Sequence, residues 1–199
     1  ALPPHLTAFT GMDALAHCLE AYCSPFFHPL SQGIAIEGIS IIHKYLLTAF
    51  SDGNNIEARG NMLASSSMGS TAFQKGLGAI HSLSHPVGAI YNTHHGLTNA
   101  VFMPYVLIKN KDAIENRIES LARYINLPDP NFDGFIKWIL DLRNKLAVPH
   151  TLKELIKDDE KFEEMSVMAF NDPSTGGNPI QLTDKDFLQL YRDAYNGKL

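Results

Sequence analysis

Residues 30–50 of this 199-residue chain read LSQGIAIEGISIIHKYLLTAF. The apolar side chains are spread around the circumference of a helix instead of alternating as they would in a strand. This pattern predicts a long helix that is buried in the centre of a helical bundle. Pro29 precedes the stretch and the turn-forming residues SDGNN follow it at 51–55, so both ends of the helix are marked.

The segments on both sides have the same helical periodicity. Thr10 is the predicted N-cap of the first helix, and Thr183 with Asp186 has the spacing of a capping box at the start of the last. No convincing strand alternation occurs, so the sequence predicts an all-α helical bundle that forms a single domain over residues 1–199. Helices are predicted at residues 12–22, 30–50, 56–74, 79–90, 97–108, 113–125, 132–146, 158–169 and 184–195.

The composition argues against several classes of protein. Hydrophobic residues make up 45% and charged residues 19%, which is too apolar for extended disorder. A net charge of −5 offers no basic surface for a phosphate backbone, so nucleic acid is not an expected partner. No apolar run of ~18 residues and no secretory signal is found, so no membrane association is expected. Cys18 and Cys23 are expected to stay reduced in the cytoplasm.

Three groups of residues have the spacing of metal ligands. They are Asp13 with His17, His81 with His85, and the adjacent pair His94 and His95. Residues four apart lie on one face of a helix, one turn from each other. Imidazole nitrogens with one carboxylate suit a divalent transition metal such as zinc or iron. Adjacent side chains diverge, so at most one member of the third group is expected to face a common site.

Spacing alone leaves other interpretations open. Asp13 and His17 also fit an ordinary pair on a solvated helix face, and His81 and His85 fit one partly buried and one exposed histidine. Glu20, three residues after His17, either supports a ligand from behind or is a surface carboxylate, and the surface interpretation is favoured. The remaining histidines are interpreted as structural or surface residues. They are His5, His28, His43 and His150.

A nucleotide-binding unit is not predicted within the chain. Such a unit needs a strand, a glycine-rich turn and a helix. Gly76-Leu77-Gly78 is a G-x-G, but no strand precedes it and the third glycine is missing. This triplet is interpreted as a helix break.

Two signatures resemble those of the iron-containing (group III) alcohol dehydrogenases. Residues 10–20, TGMDALAHCLE, resemble T-G-x-D-A-L-x-H-x-x-E, and residues 76–88, GLGAIHSLSHPVG, resemble G-L-G-x-x-H-x-x-x-H-P-x-G. Residues 176–179, GGNP, are similar to the late G-x-N-P loop of the family. The resemblance covers nearly the whole chain and implies the C-terminal metal-binding domain, an all-α bundle of the dehydroquinate synthase-like type.

The resemblance also implies roles for individual residues. The metal ligands of the family match Asp13, His17, His81 and His95. His85 matches a histidine near the nicotinamide and the alcohol that is associated with proton transfer, and His85 and His95 are the expected contacts to the cofactor. The implied metal is Fe²⁺, with Zn²⁺ as the alternative, and the implied cofactor is NAD or NADP.

The function implied is reversible hydride transfer between a primary alcohol and its aldehyde. NAD(P) would be bound mainly by an N-terminal domain that is absent from this chain, so the chain alone is expected to be inactive. It begins with Ala1 rather than Met and is expected to be a fragment or a processed product, and a homo-oligomer is possible. From the residues without the resemblance, a stand-alone helical metallohydrolase is equally compatible. A metal-free helical assembly module is a third hypothesis.

Overall fold

The computed structural model describes residues 2–199. Within this range the chain forms nine α-helices and no β-strand, which confirms the predicted all-α fold. The α-helices are α1 (Pro4–Cys23), α2 (Pro29–Ser51), α3 (Ile56–Ala72), α4 (Ala79–Tyr91), α5 (His95–Lys109), α6 (Lys111–Tyr124), α7 (Phe132–Lys145), α8 (Phe162–Phe170) and α9 (Asp184–Asn196). Three short 3₁₀ turns lie at Phe73–Lys75, Leu152–Glu154 and Pro173–Gly177.

Helix α1 begins two turns earlier than predicted. Proline is favoured in the first turn of a helix because its fixed φ suits the helix and its missing N–H would be unpaired there anyway. Pro4 occupies that place, and the helix then runs through Thr10. The hydroxyl of Thr10 donates to the carbonyl oxygen of Leu6 at 2.8 Å instead of capping a new helix. The prediction of Thr10 as an N-cap was therefore wrong.

Helix α2 lies at the side of the bundle and not in its centre. Its buried residues, among them Ala35, Ile39 and Ile42, face α1 and α3, while Leu30 stays 75% exposed. The prediction of all-round burial was wrong because the remaining apolar side chains are only partly covered. By length and composition α2 is apolar enough to cross a membrane, contrary to the expectation from the sequence. The core helix of a soluble protein has the same length and composition, so this is weak evidence for a span.

Helices α1, α4 and α5 meet in the core. Helix α1 packs against α2, α3 and α5, and α4 packs against α5 and α8. Leu15 and Leu19 of α1 and Phe102 of α5 are completely buried. Because the ligand-like residues lie on these same three helices, the packing of the core fixes their relative positions.

The C-terminal third follows the predicted pattern with one shift. Thr183 and Asp186 form the predicted capping box at the start of α9. Helix α8 begins at Phe162, four residues later than predicted. Asp158 accepts hydrogen bonds from the Glu160 N–H and the Tyr91 hydroxyl, and such local bonds compete with helix formation.

Candidate metal centre

Asp13 and His17 lie one turn apart on α1 and face the same way. The distance from Asp13 Oδ2 to His17 Nδ1 is 3.8 Å, and their side chains are 25% and 20% exposed. They are therefore accessible from solvent but held by a buried helix.

His81 lies in the first turn of α4 and is 1% exposed. This helix has no capping side chain of its own, because Gly78 occupies the N-cap. Two side chains that are distant in the sequence accept hydrogen bonds from its first N–H groups instead. Asn178 Oδ1 accepts from the Ala79 N–H at 3.3 Å, and Glu20 Oε1 accepts from the Ile80 N–H at 2.7 Å. A Cβ at position 78 would lie 3.1 Å from Glu20 Oε1, so glycine lets these caps approach.

Glu20 is buried, and the favoured interpretation of it as a surface carboxylate was wrong. Its side chain lies behind His81, with Oε2 2.6 Å from His81 Nδ1. Residues 13, 17 and 20 follow the i, i+4, i+7 spacing of one helix face. This spacing was visible in the sequence and would have placed Glu20 beside the predicted ligands.

His95 begins α5 and reaches the same cluster, whereas its neighbour His94 points away and is exposed. The distance from His95 Nε2 to Asp13 Oδ1 is 3.5 Å. The approach of α5 to α1 depends on Gly96, since a Cβ there would lie 2.3 Å from the carbonyl oxygen of Phe9. The ring of His94 instead lies against that of Phe9, with centroids 5.1 Å apart.

The structure thus brings together all four residues that the sequence predicted as ligands. The donor atoms of Asp13, His17 and His81 lie within 4.8 Å of one another, and His95 joins them through Asp13. His81 Nε2 is 4.0 Å from Asp13 Oδ1. Donors around a tetrahedral ion with bonds of ~2.0–2.2 Å lie roughly 3.3–3.6 Å apart, so small side-chain movements would suffice. Three imidazoles and one carboxylate fit a divalent transition metal.

The surroundings favour the neutral form of two of these histidines. Burial lowers the pKa of His17, and the neighbouring His81 lowers it further against the charge of Asp13. Burial likewise lowers the pKa of His95. Burial also opposes a charge on His81, but the charge and hydrogen bond of Glu20 outweigh it, so the pKa of His81 is raised. Neutral imidazole is the form that binds a metal.

His85 stands beside the cluster and is 42% exposed. Its ring is stacked on that of His95, with centroids 5.4 Å apart and planes inclined by 14°. Its Nδ1 lies 2.7 Å from Asp172 Oδ2. Burial raises the pKa of Asp172, but hydrogen bonds from His85 and Ser174 outweigh this effect, and the net pKa is lowered. His85 and Asp172 therefore form a dyad in which the ring is held by a carboxylate.

Comparison with known proteins identifies the family. The model of the C-terminal region of the Fe-containing alcohol dehydrogenase family matches residues 7–195. The chain belongs to the iron-containing alcohol dehydrogenase family. It is 37% identical over 202 residues to 4-hydroxybutyrate dehydrogenase of Cupriavidus necator and 34% identical to alcohol dehydrogenase 4 of Saccharomyces cerevisiae. These alignments cover 97% and 98% of the chain but 52% of each relative, so the chain spans about half the length of the curated relatives it matches.

Solved structures of this family share the fold. A 1,3-propanediol oxidoreductase superimposes with a TM-score of 0.93 at 30% identity, over 98% of this chain and 53% of that one. A sulfoacetaldehyde reductase from Bifidobacterium kashiwanohense, solved in complex with NAD⁺, superimposes with a TM-score of 0.88 at 28% identity. The alignment covers 98% of this chain and 51% of that one.

Sequence reasoning missed two further residues at the centre of this iron-containing alcohol dehydrogenase domain. Asp172 lies 87 positions from His85 and outside all of the predicted helices, and no spacing rule connects the two. Asn99 contacts three of the four candidate ligands. It follows His95 by four residues, the same spacing that relates Asp13 to His17, so this signal was present in the sequence.

Proposed function

We propose that this chain is the metal-binding half of an NAD(P)-dependent alcohol dehydrogenase that interconverts an alcohol and its aldehyde. The observation that carries the proposal is the convergence of four side chains from three helices, namely Asp13, His17, His81 and His95. The ring of His85 is stacked on that of His95 beside them. Three imidazoles and one carboxylate whose nitrogen and oxygen atoms lie this close together are the ligand set of a divalent transition metal.

Asp13, His17, His81 and His95 are the residues that would hold the metal. We propose Fe²⁺ as the metal because the chain belongs to an iron-containing family. Zn²⁺ is the alternative, since the same three imidazoles and carboxylate could bind it. A bound divalent cation supplies Lewis acidity, which lowers the pKa of an alcohol hydroxyl. Glu20 supports the site by accepting from His81 Nδ1, which turns the Nε2 lone pair toward the other donors.

His85 is the proposed proton acceptor. In this proposal its Nδ1–H donates to Asp172 Oδ2, so Nε2 is left free to take the proton of the alcohol. The exposed edge of the ring then lets the proton pass to solvent. Imidazole suits this transfer because its unperturbed pKa is ~6.5.

The cofactor, the substrate and the compartment are also proposals. NAD or NADP would be bound mainly by a domain outside this chain. His85 and His95 would contact the nicotinamide ring from this chain. The substrate is a small alcohol or aldehyde, since the relatives named above include a 4-hydroxybutyrate dehydrogenase, an alcohol dehydrogenase and a 1,3-propanediol oxidoreductase. The buried free thiols Cys18 and Cys23 fit the reducing cytoplasm.

Joining this chain to a nucleotide-binding half tests the proposed function. The N-terminal half of 4-hydroxybutyrate dehydrogenase of Cupriavidus necator is fused before residue 2, and primary alcohols are tested with NAD⁺ and NADP⁺. We expect nicotinamide reduction by the metal-loaded fusion and none by the chain alone, because the chain supplies the metal centre only. Esterase or phosphatase activity of the chain without nucleotide would favour the metallohydrolase instead.

Replacing His85 by alanine in the same fusion tests the proton acceptor. We expect kcat to fall by about 10²–10⁴-fold, the usual contribution of a positioned acid or base. The metal content should not change, since His85 is outside the ligand set. The exposed neighbour His94 provides the control, and His94→Ala should retain activity. Loss of metal together with activity in His85→Ala would assign His85 to the ligands and contradict its proposed role.

A further inference from the structure

The side-chain nitrogen of Asn99 lies between candidate metal-ligand atoms that come from helices α1, α4 and α5. Its Nδ2 lies 2.7 Å from Asp13 Oδ1, 3.0 Å from His95 Nε2 and 3.2 Å from His81 Nε2. The residue is 0% exposed. No other side chain has so many of the candidate ligand atoms within hydrogen-bond distance among the contacts of residues 2–199.

The orientation of this amide is informative because it leaves one atom unpaired. Asn99 Oδ1 is buried and has no hydrogen-bond partner within the described part of the chain. A buried unpaired carbonyl oxygen is unfavourable. The opposite orientation would direct Oδ1 at the carboxylate oxygen of Asp13, which would repel it. The carboxylate therefore fixes the amide with its N–H groups facing the candidate ligands.

An amide nitrogen only donates and carries two N–H groups, so the three acceptors share two hydrogens and each must present a lone pair to them. For His81 this condition is met from the other side of the ring, because Glu20 Oε2 accepts from Nδ1–H and leaves Nε2 unprotonated. His95 has no such carboxylate behind it among the described contacts. Two groups act on its Nε2: Asp13 Oδ1 at 3.5 Å favours Nε2–H, whereas the nearer Asn99 Nδ2 at 3.0 Å favours an unprotonated Nε2. The contact to Asn99 is therefore the one that selects the tautomer with a free Nε2 lone pair. A metal ion would need these same Nε2 lone pairs.

We propose that Asn99 is a positioning residue of the metal centre, which holds the Asp13 carboxylate and the Nε2 lone pairs of His81 and His95 toward the centre before a metal ion arrives. A carboxylate oxygen has a second lone pair, so Asn99 keeps its bond to Asp13 when a metal is bound. A neutral imidazole nitrogen has only one, so the contacts to the two rings are given up to the ion. This role rests on the proposed function, since it presupposes that these donors bind a metal.

The test compares Asn99→Leu with the wild-type chain and uses Zn²⁺ alone as the probe. Leucine has nearly the same shape but cannot donate. We expect the affinity for Zn²⁺, measured by competition with a chelator, to fall by about 10- to 100-fold, the usual effect of removing a group that orients a ligand. In the metal-free chain, the ring-nitrogen NMR shifts of His95 should change from one tautomer to a mixture.

Tyr105→Phe provides the matched control. Tyr105 lies on the same helix and donates to the carbonyl oxygen of His150 at 3.0 Å, far from the candidate ligands. This variant loses one partly buried hydrogen bond of α5, so any loss of affinity that follows from weaker packing of this helix would appear in it too. We expect its Zn²⁺ affinity and the His95 shifts to equal those of the wild type.

Each outcome decides for or against the role of Asn99. Wild-type affinity and unchanged His95 shifts in Asn99→Leu would overturn it. If the leucine variant does not fold, Asn99→Asp has the same shape but only accepts, and it should drive His95 toward the Nε2–H tautomer; an unchanged tautomer would overturn the proposal. A wild-type chain that binds no Zn²⁺ would instead refute the metal centre, and the tautomer of His95 would still decide whether Asn99 orients the ring.

Discussion

Replacement of His81 by alanine is expected to remove the metal from the protein and to lower its melting temperature. His81 is the most deeply buried of the four candidate ligands, and the other three come from α1 and α5, so its loss disconnects α4 from the centre. A ligand at a hundredfold excess over its dissociation constant stabilises a protein by about 2.7 kcal/mol. At roughly 2–4 °C per kcal/mol for a chain of this size, the melting temperature should fall by about 5–11 °C.

The measurements are elemental analysis of the purified protein and thermal unfolding with and without added metal. His43→Ala serves as the control, because His43 is a half-buried histidine that packs against Trp138 away from the cluster. It should keep its metal, and its melting temperature should still rise when metal is added. Full occupancy in His81→Ala would contradict the assignment of the four ligands.

Substitution of Glu20 is expected to weaken metal binding although Glu20 is not a ligand. One oxygen of Glu20 accepts from His81 and the other from the Ile80 N–H. Glutamine has a single side-chain oxygen, so Glu20→Gln can satisfy only one of these donors and the other faces an NH₂ group. We expect a loss of metal affinity of about 10- to 100-fold with the fold retained.

Glu20→Ala should be more severe because it leaves both donors unpaired. A buried donor without a partner costs about 1–3 kcal/mol, so this variant should lose stability as well as metal. Glu154→Gln is the matched control, since Glu154 also accepts hydrogen bonds from two N–H groups but at the surface. It should leave metal affinity unchanged. If Glu20→Gln binds metal as tightly as the wild type, the carboxylate behind His81 has only a structural role.

The helices could be predicted from the sequence because periodicity and turn residues are local signals. Their ends were predicted where a cap or a break was visible, as at Thr183 and Gly78. The prediction failed where two local signals competed, since Thr10 had the chemistry of a cap but Pro4 had already begun the helix. The degree of burial of α2 was also beyond prediction, because it depends on which faces the other helices cover.

The four candidate ligands could be identified from spacing and from resemblance, but their convergence could not. Spacing shows that Asp13 and His17 share a face, whereas the approach of α4 and α5 to that face depends on packing around Gly78 and Gly96. The contact between Asp172 and His85 could not be predicted for the same reason, because it joins two segments that share no sequence pattern.

The capping of α4 has a consequence for how the centre arises during synthesis. The N–H groups just before His81 are held by Glu20, 60 positions earlier, and by Asn178, 99 positions later. A nascent chain that has left the ribosome as far as Lys111 therefore contains every candidate ligand while the turn that carries His81 still lacks one of its two anchors. Such distant closures are slow relative to helix formation. The contact from Asn178 therefore forms after the helices that carry the candidate ligands, and the first turn of α4 receives its second cap only once residue 178 has been synthesised.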